Sequence, residues 1–419
     1  MMKENTTGLS ENIKQLMAKG VRIYNPLSIE IGNEVDPDRI SGEDVIIHPG
    51  TRIYGKKTLI SKGSRLGYES PVTVVDCQLG PHVELKGGFI KSSVFLEGSN
   101  LSSGALVREG CILEEQANAA HTVGLKQTLL FPFVTLGSLI NFCDCFMAGG
   151  TSRKDHSEVG SSYIHFNYTP NQDKATPSLV GDVPRGVMLN QSPIFLGGQG
   201  GLVGPVRIGY GTVIAAGTVY RKDCPEGGKL LIEKNDAARD KTFHMGFYGD
   251  VTRRVYNNIS YLANLLSLRE WYVHIRQPFF RLQDMGEGLY MGMMDALESM
   301  IEERINRFRA LSEKMEVSMA LGEKIRYKKT ILKQKKEFLE NWPEIETCFK
   351  SGHETRIDQK NRDDFAGIIH HKISRGEKNY LQVIKSLDKR ESAIGTQWLQ
   401  NIVDDITRSS LNHLPSFRL

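Results

Sequence analysis

A large aliphatic residue recurs at about every sixth position through the first half of the chain, most regularly at Leu202, Ile208 and Ile214. A strand alternates every two residues and a helix every 3.6, so a period near six over many turns fits neither element alone. It is typical of a parallel β-helix, in which one large aliphatic side chain per hexad points into a thin core. Upstream, the same repeat is carried by Ile47, Ile53, Ile60, Leu66, Val72, Leu79, Leu85, Leu101, Val107 and Leu113.

The composition is that of an ordinary globular protein of 419 residues with 40% hydrophobic residues. Its 53 basic and 49 acidic residues give a formal charge of only +4, which does not indicate a nucleic-acid or acidic-lipid partner. No stretch approaches the roughly 20 apolar residues of a membrane span, and the first residues lack the apolar core of a secretory signal. We therefore expect a cytoplasmic protein with no membrane partner.

The six cysteines are few and scattered for this length, so no disulfide framework is expected. Cys143 and Cys145 form the only close pair, and their one-residue gap is not a usual zinc spacing. We interpret the thiols as structural rather than metal-binding.

Composition and spacing divide the chain into three predicted segments, residues 1–20, 21–224 and 225–419. In the first segment, Ser10 can cap a short helix and Gly20 can end it. The second carries the six-residue repeat. The third begins at a Pro225-Glu-Gly-Gly linker and interleaves charged with apolar residues at helical spacing. The fold class predicted is a parallel β-helix followed by an α-helical C-terminal domain.

One helix of the third segment is marked by a single apolar stripe, formed by Leu297, Ile301, Ile305 and Phe308. Further helices are predicted over 255–275, 323–340, 360–390 and 396–410.

Three segments of the chain resemble one family of enzymes. They are Gly20-Val-Arg-Ile-Tyr-Asn-Pro, the pair Asn167-Tyr168, and the closing block Leu202-Val-Gly-Pro-Val-Arg-Ile-Gly-Tyr-Gly-Thr-Val-Ile-Ala-Ala-Gly-Thr. Over roughly residues 20 to 222 the chain resembles the left-handed β-helix, or hexapeptide-repeat, acyltransferases. It is most similar to the acetyltransferase domain of the bacterial bifunctional N-acetylglucosamine-1-phosphate uridylyltransferase/glucosamine-1-phosphate acetyltransferase. The left-handed sense comes from this resemblance alone, because the repeat does not decide it.

The resemblance implies an acyl-CoA-dependent N-acyltransferase with acetyl-CoA as cosubstrate. It implies an amino sugar phosphate or a nucleotide-linked amino sugar as acceptor, and no metal. Family members trimerise along their prism faces and build each active site between neighbouring subunits, so a homotrimer is expected. The uridylyltransferase half has a glycine-rich loop near its N-terminus, and only some twenty residues precede the repeat here. We therefore expect that second activity to be absent.

Several binding residues follow from the resemblance. The family's Asn-Tyr pair and a nearby lysine contact the sugar phosphate, and they match Asn167, Tyr168 and, one residue displaced, Lys174. Arg153 and Lys154 are close in sequence and would add positive charge for a phosphate. The coils themselves also require small residues at the positions that match the family's pantetheine contacts. Those positions are Ser161, Gly198, Ala215 and Ala216.

The chain departs from the family at the catalytic histidine, because the aligned residue is Asp144. Histidine is the usual base that removes the proton of the attacking amine. Three histidines are candidates for this role: His156 beside acidic residues, His165 two residues before Asn167, and His121 in a segment similar to the family's histidine segment. The alternative is that all three only satisfy turn backbones.

A zinc site like that of the γ-class carbonic anhydrases was also considered, since those β-helices bind zinc with three histidines between subunits. His121 and His156 have a suitable separation, but the position of the third ligand is Ser161. The sequence therefore predicts no metal.

Two functions remain open at this stage. The first is the N-acyltransferase, which the clustering of His156, His165, Asn167 and Tyr168 favours. The second is a catalytically inactive β-helix that serves as a sugar-nucleotide-binding or assembly module. The aspartate at position 144 favours this second function.

Overall fold

A computed structural model describes residues 8–233, 240, 242–350 and 358–417. The chain winds into a parallel β-helix of about eleven coils, and a layer of helices follows it and packs against it. Most coils contribute strand residues to each of three sides, so the cross-section is triangular. The fold class predicted from the repeat is confirmed.

The first side is an eleven-stranded parallel sheet. Its strands are Arg22–Ile23, Ile46–Ile47, Arg65–Leu66, Glu84–Leu85, Asn100–Leu101, Asn118–Ala119, Thr135–Leu136, Glu158–Val159, Phe195–Leu196, Val213–Ile214 and Leu230–Leu231.

The second and third sides are joined into one sheet by the long strands Gly124–Leu130 and Asn141–Met147. The other strands of the second side are Glu30–Ile31, Arg52–Tyr54, Val72–Val75, Gly88–Lys91, Ala105–Val107, Ile164–Phe166, Gly201–Val203 and Val219–Tyr220. The other strands of the third side are Leu59–Ile60, Gln78–Leu79, Ser93–Phe95, Cys111–Leu113, Ser178–Val180 and Arg207–Ile208. A small antiparallel hairpin, Gly150–Ser152 with Asp155–His156, projects from one coil.

The six-residue repeat corresponds to the sides of the coil. Leu202, Ile208 and Ile214 lie in successive strands of the second, third and first sides, and all three are buried. One hexad therefore builds one side, and its aliphatic residue fills the interior.

The helices α1 to α10 are, in chain order, Glu11–Lys19, Val183–Gly186, Thr252–Trp271, Gln277–Phe280, Gly286–Lys324, Lys329–Glu340, Trp342–Lys350, Gln359–Ser374, Tyr380–Lys385 and Lys389–Asn412. A π-helical turn, Tyr272–Arg276, joins α3 to α4, and short 3-10 turns lie at Pro26–Ser28, Pro37–Arg39 and Pro415–Phe417. No helix in the described residues is long and apolar enough to cross a membrane.

Two helices differ from the sequence-based expectation. The region 360–390 is divided into α8 and α9, because Gly376 adopts a φ of +98° and Asn379 caps the new helix. The helix predicted over 323–340 begins only at Lys329, since the long α5 continues to Lys324.

The helices cover the third side of the β-helix. Successive strand residues point to opposite faces, and in most strands of this side both the inward and the outward residues are apolar. Helix α5 contacts the strands Gln78–Leu79, Ser93–Phe95 and Cys111–Leu113, and α3 contacts Ser178–Val180. The outward apolar residues Val94, Ile112, Leu129, Phe146 and Leu179 are accordingly all buried.

Two acidic side chains of the β-helix lie buried under the π-helical turn. Arg276 Nη2 lies 2.5 Å from Glu115 Oε1, and the Tyr272 hydroxyl donates to Glu114 Oε1 at 2.6 Å. Burial raises the pKa of Glu114 to about 7, although the charge of Arg276 opposes this. A neutral Glu114 therefore fits this interface better than a charged one.

We expect Glu114→Gln to change how stability depends on pH. The folded pKa of Glu114 lies above its unfolded value, so the wild type is stabilised below about pH 4.5 and loses this contribution as pH rises through about 7. Glutamine stays neutral, so the variant should gain on the order of 2 kcal/mol relative to the wild type between pH 5 and pH 8.

Chemical denaturation at pH 5, 6 and 8 measures this difference. The exposed Glu302→Gln provides a control that should follow the wild type. Parallel pH profiles for Glu114→Gln and the wild type would contradict the prediction.

Candidate functional site

The four residues that match the family's coenzyme A contacts lie together at one edge of the β-helix. This edge, where the first side turns into the second, is called the first corner. Ser161, Gly198 and the pair Ala215-Ala216 occupy the first corner of three successive coils. Backbone hydrogen bonds of 2.8 and 2.9 Å join the turn of Ser161 to that of Gly198, and the turn of Gly198 to that of Ala216. Ser161 and Ala216 are exposed, so the strip is accessible.

Small residues are required here by coil stacking itself. A Cβ atom at Gly197 would lie 2.3 Å from the backbone nitrogen of Ala216, and one at Gly160 would lie 2.4 Å from that of Gly198. The result is a smooth strip with few side chains, along which an extended ligand could lie.

His121 lies at the same corner, two coils towards the N-terminus from Ser161, which corresponds to about 10 Å. Its side chain is 57% exposed, and its Nε2 lies 3.3 Å from a carboxylate oxygen of Glu69. The other charged neighbour of Glu69 is Lys86, whose Nζ lies 3.5 Å away, and the Ser103 amide donates to Glu69 at 2.9 Å. Partial burial acts to raise the pKa of Glu69, but the Ser103 hydrogen bond and the charges of Lys86 and His121 outweigh it and lower that pKa. Glu69 is therefore an anion that can orient the imidazole.

His165 points into the interior of the β-helix. It is buried between Phe142 and Leu202 in the neighbouring coils. Its Nδ1 lies 2.5 Å from the carbonyl oxygen of Cys143, and its Nε2 lies 2.8 Å from the Ser178 hydroxyl. Burial lowers its pKa to about 4, so the ring is neutral at pH 7 and both nitrogens are engaged. This placement favours a structural role.

His156 lies at the opposite edge of the first side from His121, in the hairpin of residues 150–156. Its Nε2 is 3.8 Å from Glu158, and its buried Nδ1 has no hydrogen-bond partner among the described residues. Arg153 of the same hairpin donates to backbone carbonyls of two preceding coils, at 3.1 and 2.7 Å, whereas Lys154 is exposed. The three candidate histidines thus occupy three separate places.

In the part of the chain that the structure describes, no three His, Cys, Asp or Glu side chains are grouped closely enough to hold a metal.

The residue at the family's histidine position forms a buried ion pair with the helical layer. Asp144 lies where the second side turns into the third, and its Oδ1 is 2.8 Å from Nη2 of Arg304 in α5. Both side chains are almost fully buried. Asn167 donates to the other Asp144 oxygen at 2.8 Å, and Arg304 Nη1 donates to the backbone carbonyl of Lys174 at 3.0 Å. Among the residues matched to the family's sugar contacts, the Asn167 side chain is therefore engaged within the chain, whereas Lys174 is engaged through its backbone carbonyl.

The polar loop from Asn167 to Pro177 is fixed by the same helical layer. Its buried Asp173 accepts a hydrogen bond from the Tyr248 hydroxyl at 2.9 Å and pairs with Arg254 at 3.2 Å. Lys314 donates to the carbonyl of Asn171 at 2.6 Å. Tyr168, in contrast, is exposed.

Neither Glu69 nor Arg304 belongs to a sequence motif that indicates a site. Arg304 lies within the apolar stripe of α5, next to Ile305 and one turn from Ile301 and Phe308. A charged residue on a buried stripe is a signal that a buried partner exists, but it does not name that partner.

Comparison with known proteins identifies relatives over half of the chain. It is 28% identical over 214 residues to "Bifunctional protein GlmU" of Thermotoga petrophila, which covers 51% of this chain and 42% of that protein. It is 28% identical over 224 residues to the Synechococcus elongatus protein of the same name, and 30% identical over 219 residues to that of Fervidobacterium nodosum.

Half of this chain is homologous to GlmU. The resemblance that the sequence motifs carry is thereby confirmed. No family profile matches the chain. The chain spans less than half the length of these GlmU relatives.

We expect the Arg304–Asp144 pair to be essential for packing of the helices on the GlmU-like β-helix. Arg304→Met leaves a buried carboxylate without its cation, so the free energy of unfolding should fall by about 3–5 kcal/mol. The double variant Arg304→Met/Asp144→Asn removes both charges and should recover most of this loss. Urea denaturation measures both effects.

Arg307→Met is the matched control, because Arg307 is a more exposed residue of the same helix, paired with Glu303. It should cost at most about 1 kcal/mol. If Arg304→Met and Arg307→Met lower the free energy of unfolding equally, the buried pair contributes no more to stability than the exposed pair.

Proposed function

We propose that this protein is an acyl-CoA-dependent N-acyltransferase that uses acetyl-CoA. Its acceptor in this proposal is an amino sugar phosphate or a nucleotide-linked amino sugar. The observation that carries the proposal is the first corner, where an exposed histidine paired with a carboxylate lies in line with a strip of small residues. Homology to GlmU over half of the chain supports the same chemistry.

The strip of Ser161, Gly198, Ala215 and Ala216 suits the donor. A pantetheine arm is long and narrow, and it can lie against a surface without protruding side chains. In this proposal the arm follows the strip, and the thioester points towards His121.

His121 is the proposed base. In this proposal the imidazole proton is on Nε2, which lies 3.3 Å from Glu69, and the lone pair on Nδ1 is free to take a proton. The acceptor amine attacks the thioester carbonyl carbon, the carbon–nitrogen bond forms, and the carbon–sulfur bond breaks. His121 takes the proton of the amine and passes it to the departing sulfur, so that coenzyme A leaves as the thiol.

We expect His121→Ala to lower acetyl-CoA consumption by at least about 100-fold, the usual contribution of a general base. Glu69→Gln should lower it less, because it removes only the orienting charge. Release of free thiol, followed with a chromogenic disulfide and glucosamine 1-phosphate as acceptor, measures both rates.

The exposed His370→Ala in α8 provides the control and should retain full activity. If His156→Ala loses activity and His121→Ala consumes acetyl-CoA at the wild-type rate, the base lies at the edge of the first side that carries His156. If the wild type consumes no acetyl-CoA with any amino sugar tested, the transferase proposal fails.

We further propose that the protein is a homotrimer. On the covered third side, most outward residues are apolar. On most of the first side, the outward residues are polar, such as Glu84 and Thr135. The last three strands of the first side return to the apolar pattern with Phe195, Val213 and Leu230, which are 40%, 39% and 64% exposed. A second copy of the β-helix would bury this surface, as trimeric relatives of this fold do.

A charge on this surface should prevent assembly. We expect the double variant Phe195→Glu/Val213→Lys to elute as a monomer in size-exclusion chromatography with light scattering, whereas the wild type elutes as a trimer. Met291→Lys, an equally exposed position on α5, is the control and should leave the trimer intact. A monomeric wild type would refute the proposed assembly.

A further inference from the structure

An open groove of about 450 Å³ lies at the first coils, well away from the residues matched to the family's sugar contacts. Two rows of side chains form it. One row points outward from the first side, and the other continues the first corner towards the N-terminus. The lining residues are Arg22, Tyr24, Ile46, His48, Arg65, Tyr68, Glu84 and Lys86.

Three aromatic rings follow one another along the corner row. The ring centres of Tyr24 and His48 are 5.3 Å apart, and those of His48 and Tyr68 are 5.4 Å apart. Tyr24 and Tyr68 are nevertheless 51% and 71% exposed. The neighbouring rings hold each tyrosine in place, and the tyrosine rings remain accessible. They therefore form a surface on which the apolar side of a sugar ring can stack.

The other row carries both signs of charge. Arg65 Nη1 lies 3.5 Å from Glu84 Oε1, and these residues face each other on neighbouring coils about 5 Å apart. Arg22 is three coils from Glu84 on the same row, pairs with Asp44 at 3.3 Å and, like Arg65, is more than half exposed. Guanidinium groups recognise phosphate through paired hydrogen bonds, and a carboxylate recognises an ammonium group. The groove is thus complementary to a ligand that carries both an anionic and a cationic group on a ring.

The groove is also connected to the proposed base. Lys86 lines the groove and lies 3.5 Å from Glu69, and Glu69 in turn lies 3.3 Å from His121. The order along the first corner is therefore groove, base and small-residue strip.

We infer that this groove binds the acceptor, as a phosphorylated amino sugar, an inference that rests on the proposed function. The sugar ring stacks on the tyrosines, the phosphate pairs with Arg22 and Arg65, and the ammonium group pairs with Glu84. The acceptor thus approaches His121 from the N-terminal side and the acyl donor from the C-terminal side. In this inference the acceptor site is the groove and not the place matched by Asn167 and Lys174, where the Asn167 side chain is bonded to Asp144 and the backbone carbonyl of Lys174 accepts from Arg304.

Isothermal titration with glucosamine 1-phosphate, on the full chain and without acetyl-CoA, tests the inference. The wild type should bind, and Tyr68→Ala and Arg65→Gln should each weaken binding roughly tenfold, whereas Tyr68→Phe retains it. N-acetylglucosamine 1-phosphate lacks the ammonium group, so it should bind more weakly than glucosamine 1-phosphate. Glu84→Gln should abolish that preference. Phe89 is an exposed aromatic residue on the second side, so Phe89→Ala is the control for the loss of an aromatic side chain outside the groove, and it should bind glucosamine 1-phosphate like the wild type.

The outcomes separate this inference from the proposed function. Binding that depends on Tyr68 but is never followed by turnover supports the groove and overturns the transferase. Turnover with an unchanged KM in Tyr68→Ala overturns the groove and leaves the transferase standing. Absence of glucosamine 1-phosphate binding to the wild type, or binding lost in Tyr168→Ala and retained in Tyr68→Ala, also overturns the groove.

Discussion

Burial of the third side of the β-helix by the helical layer is the constraint on which the rest of the structure depends. A two-residue strand can be apolar inside and polar outside, as Arg65–Leu66 is, and then it needs no cover. Strands such as Ile112–Leu113 and Phe146–Met147 are apolar on both faces and would be costly to expose. The helices supply that cover, and in return the β-helix gives them a flat apolar surface on which to pack.

The same packing determines what chemistry is available to the β-helix. Helix α5 brings Arg304 onto Asp144, and the neighbouring helices hold the loop around Asp173. A buried, ion-paired carboxylate is neither a proton acceptor for a bound amine nor accessible to one. An acyltransferase built in this way therefore needs its base elsewhere, and the uncovered first corner offers His121 with Glu69. In the proposed function, the covered corner provides stability and the open corner provides the chemistry.

Much of this could be predicted from the sequence, because the underlying pattern is local. One aliphatic residue per hexad sets the coil, and the end of a helix at Gly376 or its start after Ser10 depends on a few neighbours. The inward position of His165 could also have been derived, since it falls in register with Leu202 in the repeat. The position of the covered side could also have been derived, because most of its strands are apolar at both the inward and the outward positions. The pairing of Arg304 with Asp144 could not be predicted, because it joins residues 160 positions apart. The orientation of Glu69 towards His121 could not be predicted either, because it joins residues in coils that are not adjacent.

The coil stack places the groove, the histidine and the small-residue strip at fixed heights along one straight edge, each coil adding about 5 Å. The edge therefore acts as a molecular ruler. Suppose that one whole coil is gained or lost between Tyr68 and His121, or between His121 and Ser161. The distance between the two features on either side of that coil then changes by about 5 Å, and each feature itself stays intact. Under the proposed function, such a protein can adapt to a longer or shorter acceptor by changing its number of repeats instead of rebuilding a pocket.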